Sequence, residues 1–297
     1  MKLFSGTAST KLAAEVARQL KTRLGAAEVG LFPNHETRVE LKEEVQSEDI
    51  FILQSTSPPV NDNLMELLLM SDALRRCGAK SVTAVVPYLG YSKQDKRKNM
   101  EPISARVVAD MVQAAGVSRL VTVDIHSPQL EGFFSIPIVQ LSAVDIFAKQ
   151  LSKLKNPVVV SPDIGGVARA RKLAALLRCD VAIIEKQRPT YLKALAAHLV
   201  GDIKGKDAVM IDDFIDTGGS IVEASKLLKD AKTITVCFTH PLLTDPAAER
   251  LSKLDAELIT TDTIDIAAAK QKALQRLRVV SMAGAIADSI KAISKSK

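Results

Sequence analysis

The chain has no tryptophan, three tyrosines and eight phenylalanines, so aromatic residues make up only 4% of it. That scarcity speaks against a protein that binds single-stranded nucleic acid by stacking bases on exposed rings. Its three cysteines, Cys77, Cys179 and Cys237, are odd in number, far apart and without a C-x-x-C pair. A disulfide framework is therefore not expected, and a reducing cytoplasm is the expected setting. Each cysteine lies in or beside an apolar stretch, where a small buried hydrophobe is the usual role. No apolar run approaches the ~20 residues a membrane helix requires. The opening Met1-Lys2-Leu3-Phe4-Ser5-Gly6 breaks too soon for the apolar region of a signal peptide. The fingerprints of the two common nucleotide folds are missing as well. Gly201-Asp202-Ile203-Lys204-Gly205-Lys206 is one residue short of a P-loop and runs into Asp207, and no G-x-G-x-x-G follows a strand.

What remains is a chain of 297 residues, 47% of them apolar, long enough for two domains that each bury a core. The formal charge is +6, but 34 acids are spread among 40 bases. That balance suits an enzyme of anionic metabolites as well as a nucleic-acid binder. Only Lys93 to Lys98 is densely basic.

Continuous apolar runs alternate with segments of helical period. The runs Ile50–Leu53, Val82–Pro87, Leu120–Val123, Val158–Val160, Val181–Ile184, Ala208–Ile211 and Ile234–Phe238 read as strands. Lys11–Leu24, with an apolar stripe of Leu12, Val16, Leu20 and Leu24, reads as a helix, as do Leu64–Cys77, Ala105–Ala115 and Val167–Leu177. Such a pattern predicts an α/β fold with mainly parallel sheets covered on both faces, whose ligands bind at the carboxyl ends of the strands. Asp49–Gln54, Leu64–Cys77 and Val82–Val86 match Asp207–Ile211, Ile221–Lys229 and Ile234–Phe238 in order and approximate length. Two similar domains in tandem are therefore expected, 1–143 and 144–297, with the last helix a candidate for packing back on the first.

The most informative segment is Val209-Met210-Ile211-Asp212-Asp213-Phe214-Ile215-Asp216-Thr217-Gly218-Gly219-Ser220. It predicts a buried strand that delivers acids to its carboxyl edge, a small-residue turn, and a helix Ile221–Lys229 that Ser220 can cap. The amides of a helix N-terminus suit a phosphate. The carboxylates repel one, so they should face hydroxyls or a cation. A phosphorylated sugar, often with a divalent metal, offers both. The plain alternative is a strand–turn–helix with surface acids, yet no turn requires three Asp within five residues. Asp163-Ile164-Gly165-Gly166 repeats this grammar in reduced form and is a candidate for a second phosphate. Asp124-Ile125-His126 ends another strand, and alternation would put Asp124 and His126 on one side, fit to share a metal or a polyphosphate. Tyr91-Ser92-Lys93-Gln94-Asp95-Lys96-Arg97-Lys98 is either a solvated loop or a clamp for a triphosphate that Gln94 could orient. Lys186 and Arg188, in Glu185-Lys186-Gln187-Arg188-Pro189, could neutralise charge on a transferring phosphoryl group, though charges at a strand end are ordinary.

Together these residues resemble the ribose-phosphate diphosphokinase family over nearly the whole chain. Asn61-Asp62-Asn63-Leu64-Met65-Glu66-Leu67 and Tyr-Ser-Lys-Gln-Asp-Lys at 91–96 are its more specific motifs, and the loop from Asp212 to Ser220 is shared with type I phosphoribosyltransferases. The resemblance implies two tandem phosphoribosyltransferase-type domains, an ATP side and a ribose 5-phosphate side. It implies transfer of the diphosphoryl group of MgATP to the anomeric hydroxyl of ribose 5-phosphate. Phe32, Asn34 and Glu36 would hold adenine, and Lys93, Gln94 and Lys96 would face the nucleotide. His126 would hold Mg²⁺ or a phosphate oxygen, and Asp163 a ribose hydroxyl or a second Mg²⁺. Asp212 and Asp213 would bind ribose hydroxyls. Asp216, Thr217, Gly218, Gly219 and Ser220 would wrap the 5-phosphate, and Lys186 and Arg188 would stabilise the moving charge. The Phe32–Glu36 loop would reach a neighbouring subunit, which implies a homo-oligomer with neither nucleic-acid nor membrane partners.

Some positions depart from the family pattern. Lys93 stands where the common form has Arg, a point charge for a bidentate fork. Pro128, Glu131, Gln140 and Ser142 differ from the residues that bind phosphate or ADP in regulated members, so regulation of that kind is not expected. A type I phosphoribosyltransferase and a non-catalytic relative are the rival readings.

Overall fold

The structure is a computed structural model that describes residues 1–186 and 197–295, with the backbone alone at Lys186 and Ala197. Two compact units form: Met1–Leu141 with Thr263–Asp265 and Ser281–Lys297, and Ser142–Asp262 with Ile266–Val280.

The first unit runs β1 (Lys2–Ser5), α1 (Thr10–Leu20), β2 (Ala27–Leu31), β3 (Thr37–Leu41), β4 (Asp49–Leu53), α2 (Val60–Arg76), β5 (Ser81–Val86), α3 (Ser104–Ala114), β6 (Arg119–Val123) and β7 (Ile138–Leu141). Its sheet has the order β1-β4-β5-β6-β7 and every pairing is parallel. The central strands β4, β5 and β6 are largely buried apolar runs, as parallel sheets covered on both faces demand. β2 and β3 form a separate antiparallel ribbon. Its Val29, Val39 and Leu41 pack on the core while Glu28, Arg38, Glu40 and Lys42 exchange ion pairs on the outside.

The second unit runs α4 (Val144–Leu151), β8 (Pro157–Ser161), α5 (Val167–Leu177), β9 (Asp180–Lys186), β10 (Ala197–Val200), β11 (Asp207–Ile215), α6 (Gly219–Ser225), β12 (Thr233–Pro241), α7 (Ala247–Ser252), β13 (Glu257–Thr261), α8 (Ala268–Ala273) and β14 (Leu277–Val280). Its sheet order is β10-β9-β8-β11-β12-β13-β14, with only the β9–β10 pair antiparallel. From β8 the chain winds one way to β9 and β10, and from β11 it winds the other way to β12, β13 and β14. The reversal between β8 and β11 is a topological switch point, where the two following loops part and leave a crevice. The last helix, α9 (Ala283–Lys295), belongs to the first unit, where Ala283, Ile286, Ala287, Ile290 and Ile293 are buried and it packs beside α1.

The α/β fold with mainly parallel sheets is as the sequence predicts, but some bounds differ. α1 stops at Leu20 because Lys21 adopts a left-handed φ of 56°. Leu24 therefore leaves the expected stripe and bridges to Leu3 instead. β11 runs on through the acids to Ile215 because β12 is long enough to pair with Asp212 and Phe214 through Phe238 and His240.

Candidate active site

At the switch point, the loops after β8 and β11 are neighbours because their strands are in register from Asp207 opposite Pro157 to Met210 opposite Val160. Asp213 is 4% exposed and Asp212 is half-buried. Arg169, on the first turn of α5, reaches both carboxylates: its Nη1 lies 3.4 Å from Asp212 Oδ1 and 3.6 Å from Asp213 Oδ1. Burial, and then the adjacent Asp213 carboxylate, push the Asp212 carboxyl up to about 8, against the opposing pull of Arg169. The crevice thus holds two acids that resist ionising together. They are poor company for a phosphate and good acceptors for hydroxyls.

The following turn leads into a helix N-terminus, a geometry that suits an anion. Gly218 is the N-cap of α6 with φ 75°, a conformation glycine takes without a Cβ penalty. No side chain caps this helix, so Ser220 lies inside its first turn, a correction to the capping role expected of it. The helix breaks down after Ser225 into a single tighter turn, Lys226–Leu228. The first-turn amides have no intrahelical acceptor by geometry. Two side chains from beyond β12 hold the turn in place. The Thr244 hydroxyl donates to Asp216 Oδ1, and Arg250 Nη1 donates to the Thr217 carbonyl at 3.0 Å.

Asp163 is exposed, and its Oδ1 accepts the Gly166 N–H at 2.9 Å while Ser161 Oγ donates to the Asp163 carbonyl at 2.7 Å. The turn therefore closes on its own carboxylate. Lys186 ends β9, and its side chain and Arg188 lie outside the described residues.

In the first unit the candidate nucleotide residues lie on three loops. Phe32, Asn34 and Glu36 form the tip of the β2–β3 ribbon, where Phe32 is 47% exposed. The Phe32 N–H donates to the Glu36 carbonyl at 2.8 Å, and Asn34 Oδ1 accepts the Glu36 N–H at 3.2 Å. Gln94 braces the start of α3, its carbonyl accepting the Ala105 N–H at 3.2 Å and its side chain accepting the Ser104 hydroxyl. Lys93 is half-buried and Lys96 exposed on the same loop. β6 stops at Val123, and Asp124 turns left-handed with φ 38°. Strand alternation therefore does not carry through to His126, and the argument that put the two side chains on one side is corrected.

The motif Asn61–Glu66 turns out to tie together the loops at the carboxyl edge of this sheet. Tyr91 donates its hydroxyl to Asn61, and Asn63 donates its amide to the Ser57 carbonyl at 2.7 Å. Glu66 accepts both the N–H and the hydroxyl of Thr7, each at 2.6 Å. Sequence reasoning missed Arg169, Thr244 and Arg250. Arg169 left a usable signal, a cation just after Gly166 at the helix end that favours anions; the other two left none.

No three His, Cys, Asp or Glu side chains converge as a metal cage among the described residues. Mg²⁺ does not need one, since it keeps waters and substrate phosphates around one or two protein carboxylates. Asp163, with only one oxygen engaged by its turn, fits that donor chemistry; the His126 imidazole fits a phosphate oxygen better.

A mainly parallel α/β sheet whose switch point carries paired acids beside a glycine-led helix N-terminus is an architecture suited to an enzyme of phosphorylated, hydroxyl-bearing ligands. Residues 1–116 match the N-terminal domain of ribose phosphate pyrophosphokinase, and residues 192–297 match the phosphoribosyl synthetase-associated domain. The ribose-phosphate pyrophosphokinase of Pasteurella multocida is 43% identical over 100% of this chain and 97% of its own length. That of Burkholderia pseudomallei is 44% identical over 99% and 95%. The crystal structure of phosphoribosylpyrophosphate synthetase from Mycobacterium smegmatis is similar with a TM-score of 0.93 and 40% identity, covering 100% of this chain and 99% of that one. The chain belongs to the ribose-phosphate pyrophosphokinase family.

Proposed function

We infer that this chain transfers the diphosphoryl group of MgATP to the anomeric hydroxyl of ribose 5-phosphate, giving 5-phosphoribosyl 1-diphosphate and AMP for nucleotide biosynthesis. The observation that carries this reading is the switch-point crevice, with Asp212 and Asp213 beside the turn Asp216–Ser220, in a chain that matches its family relatives from end to end. The two acids grip the ribose hydroxyls. The amides of Thr217 to Ser220 and the dipole of α6 take the 5-phosphate, an arrangement helix N-termini favour. The sugar's anomeric hydroxyl attacks the β-phosphorus and releases its proton to water, the bond from that phosphorus to the α-phosphate oxygen breaks, and AMP leaves with the electron pair. Positioning and charge stabilisation carry the rate, with little covalent chemistry for the protein to do.

Phe32 stacks on adenine while Asn34 and Glu36 hydrogen-bond it, and Lys93, Gln94 and Lys96 hold the phosphates. Lys186 and Arg188 neutralise charge as the diphosphate moves. His126 donates to a phosphate oxygen or holds Mg²⁺. Asp163 holds Mg²⁺ or a ribose hydroxyl; bound there, the metal would offset phosphate charge. The ATP side is the first unit and the sugar side the second. An exposed aromatic at a ribbon tip suits insertion into a second copy, so the enzyme works as a homo-oligomer in the cytoplasm.

Incubation with ribose 5-phosphate and MgATP should give AMP and the diphosphorylated sugar in equal amounts. Diphosphate release from that sugar with a free base, and no AMP in the first assay, would assign the chain to the type I transferases instead.

A further inference from the structure

Arg169 is out of place by local rules. It occupies the first turn of α5, with no acid in that turn, where the helix dipole and the unpaired amides favour an anion over a cation. Its side chain is only 16% exposed, so the guanidinium has also surrendered most of its water. A residue that breaks a local preference and a burial preference together has its reason elsewhere in the fold. Here that reason is the carboxylate pair on the neighbouring strand. One nitrogen stands within 3.4 Å of Asp212 and 3.6 Å of Asp213, on the seam where the sheet changes winding direction.

Those distances matter. A charge-assisted pair held tightly closes to about 2.7–2.9 Å, and this one is looser on both sides. The guanidinium bridges the two acids, and Asp212 Oδ1 also accepts the Asp213 N–H at 2.9 Å, which fixes the pair side by side. A purely structural tie would be expected to close on one partner.

We propose that Arg169 is a positioning residue of the sugar site, holding Asp212 and Asp213 side by side as acceptors for two adjacent hydroxyls of ribose 5-phosphate. The proposal rests on the assignment of that acid pair to the sugar hydroxyls. Without Arg169 nothing opposes the repulsion between the two acids, the pair turns apart, and one hydroxyl loses its acceptor. The loss is then confined to sugar binding, because among the described residues the ion pairs of Arg169 are with Asp212 and Asp213.

The test is steady-state kinetics of Arg169→Gln and Arg169→Lys, with inhibition constants for 2-deoxyribose 5-phosphate measured alongside. For Arg169→Gln, KM for ribose 5-phosphate should rise about tenfold or more, each factor of ten being ~1.4 kcal/mol, while KM for ATP stays within about twofold by the confinement argued above. Arg169→Lys should recover most of the affinity. The penalty should shrink on the 2-deoxy sugar, which lacks one of the two hydroxyls, as coupled partners require. An equal penalty on both sugars, or a fall in kcat with both KM values unchanged, overturns the proposal. Should the Gln variant not fold, Arg169→Met, which keeps the apolar stem without the charge, decides by the same split between KM and kcat. Asp212→Asn and Asp213→Asn separate the two levels. If these leave KM for ribose 5-phosphate unchanged, the reading of the pair fails; if they raise it and Arg169→Gln does not, only the role of Arg169 fails.

Discussion

At the scale of single residues, the site is a compromise between stability and binding. Asp212 carries the clearest sign of it, with a carboxyl raised from 3.8 to about 8 by burial and by Asp213. Between those values the folded chain holds a proton that the unfolded chain releases, so this group's contribution to stability is greatest below 3.8 and is lost as pH rises toward 8. Asp212→Asn removes the titration and the repulsion together. Its thermal midpoint relative to the parent should therefore climb as pH goes from acidic to about 8.5, by roughly 2–4 °C for each kcal/mol relieved. The same variant should bind ribose 5-phosphate more weakly. Melting curves at several pH values test the first half, and a midpoint difference that does not change with pH would remove Asp212 as the strained group. The acid run was plain in the sequence. That its two members are buried against one arginine was not, because a contact across 43 positions leaves no periodic trace.

At the scale of elements, the turn proposed for the phosphate depends on side chains that arrive from beyond the next strand, one in the β12–α7 loop and one on α7. Thr244 and Arg250 hold Asp216 and the Thr217 carbonyl from outside the motif. Lys270 in turn donates to the Leu243 carbonyl at 2.6 Å, so α8 supports the segment that supports the turn. Since a site built on loops is only as ordered as its supports, Arg250→Ala combined with Thr244→Val should raise KM for ribose 5-phosphate several-fold and leave KM for ATP alone. Equal changes in the two constants would mean that the turn does not rely on this scaffold. The strands with continuous apolar runs were legible in the sequence. The β2–β3 ribbon was not, since it pairs alternating charged and apolar residues around an ordinary polar turn, a pattern shared with many loops. The four-residue edge strands β1, β7, β10 and β14 escaped for another reason: they are too short to show a period.

At the scale of the whole molecule, the two units divide the chemistry proposed for them, and the ribbon tip at Phe32 is assigned to a neighbouring subunit. Phe32→Ala and Asp212→Asn then damage different parts of a shared site. Each variant alone should be weakly active. Mixed after dissociation and reassembly, they should regain a substantial fraction of parental activity, because some sites draw an intact ribbon from one chain and intact acids from another. Activity of the mixture equal to the mean of the two variants would show that each chain serves its own site. Size measurement of the parent in solution should show more than one subunit.

By itself the sequence determined the alternation of strand and helix, the parallel character of the sheets and the strand that carries Asp212 and Asp213. These follow from local spacing of apolar residues, turns and charges, which neighbouring positions encode. Only the tertiary structure decided the order of the strands, hence the switch point between β8 and β11, and with it the meeting of Arg169, Asp212 and Asp213. Strand order is set by how whole faces pack, and a guanidinium finds two carboxylates only after that packing has brought distant segments side by side.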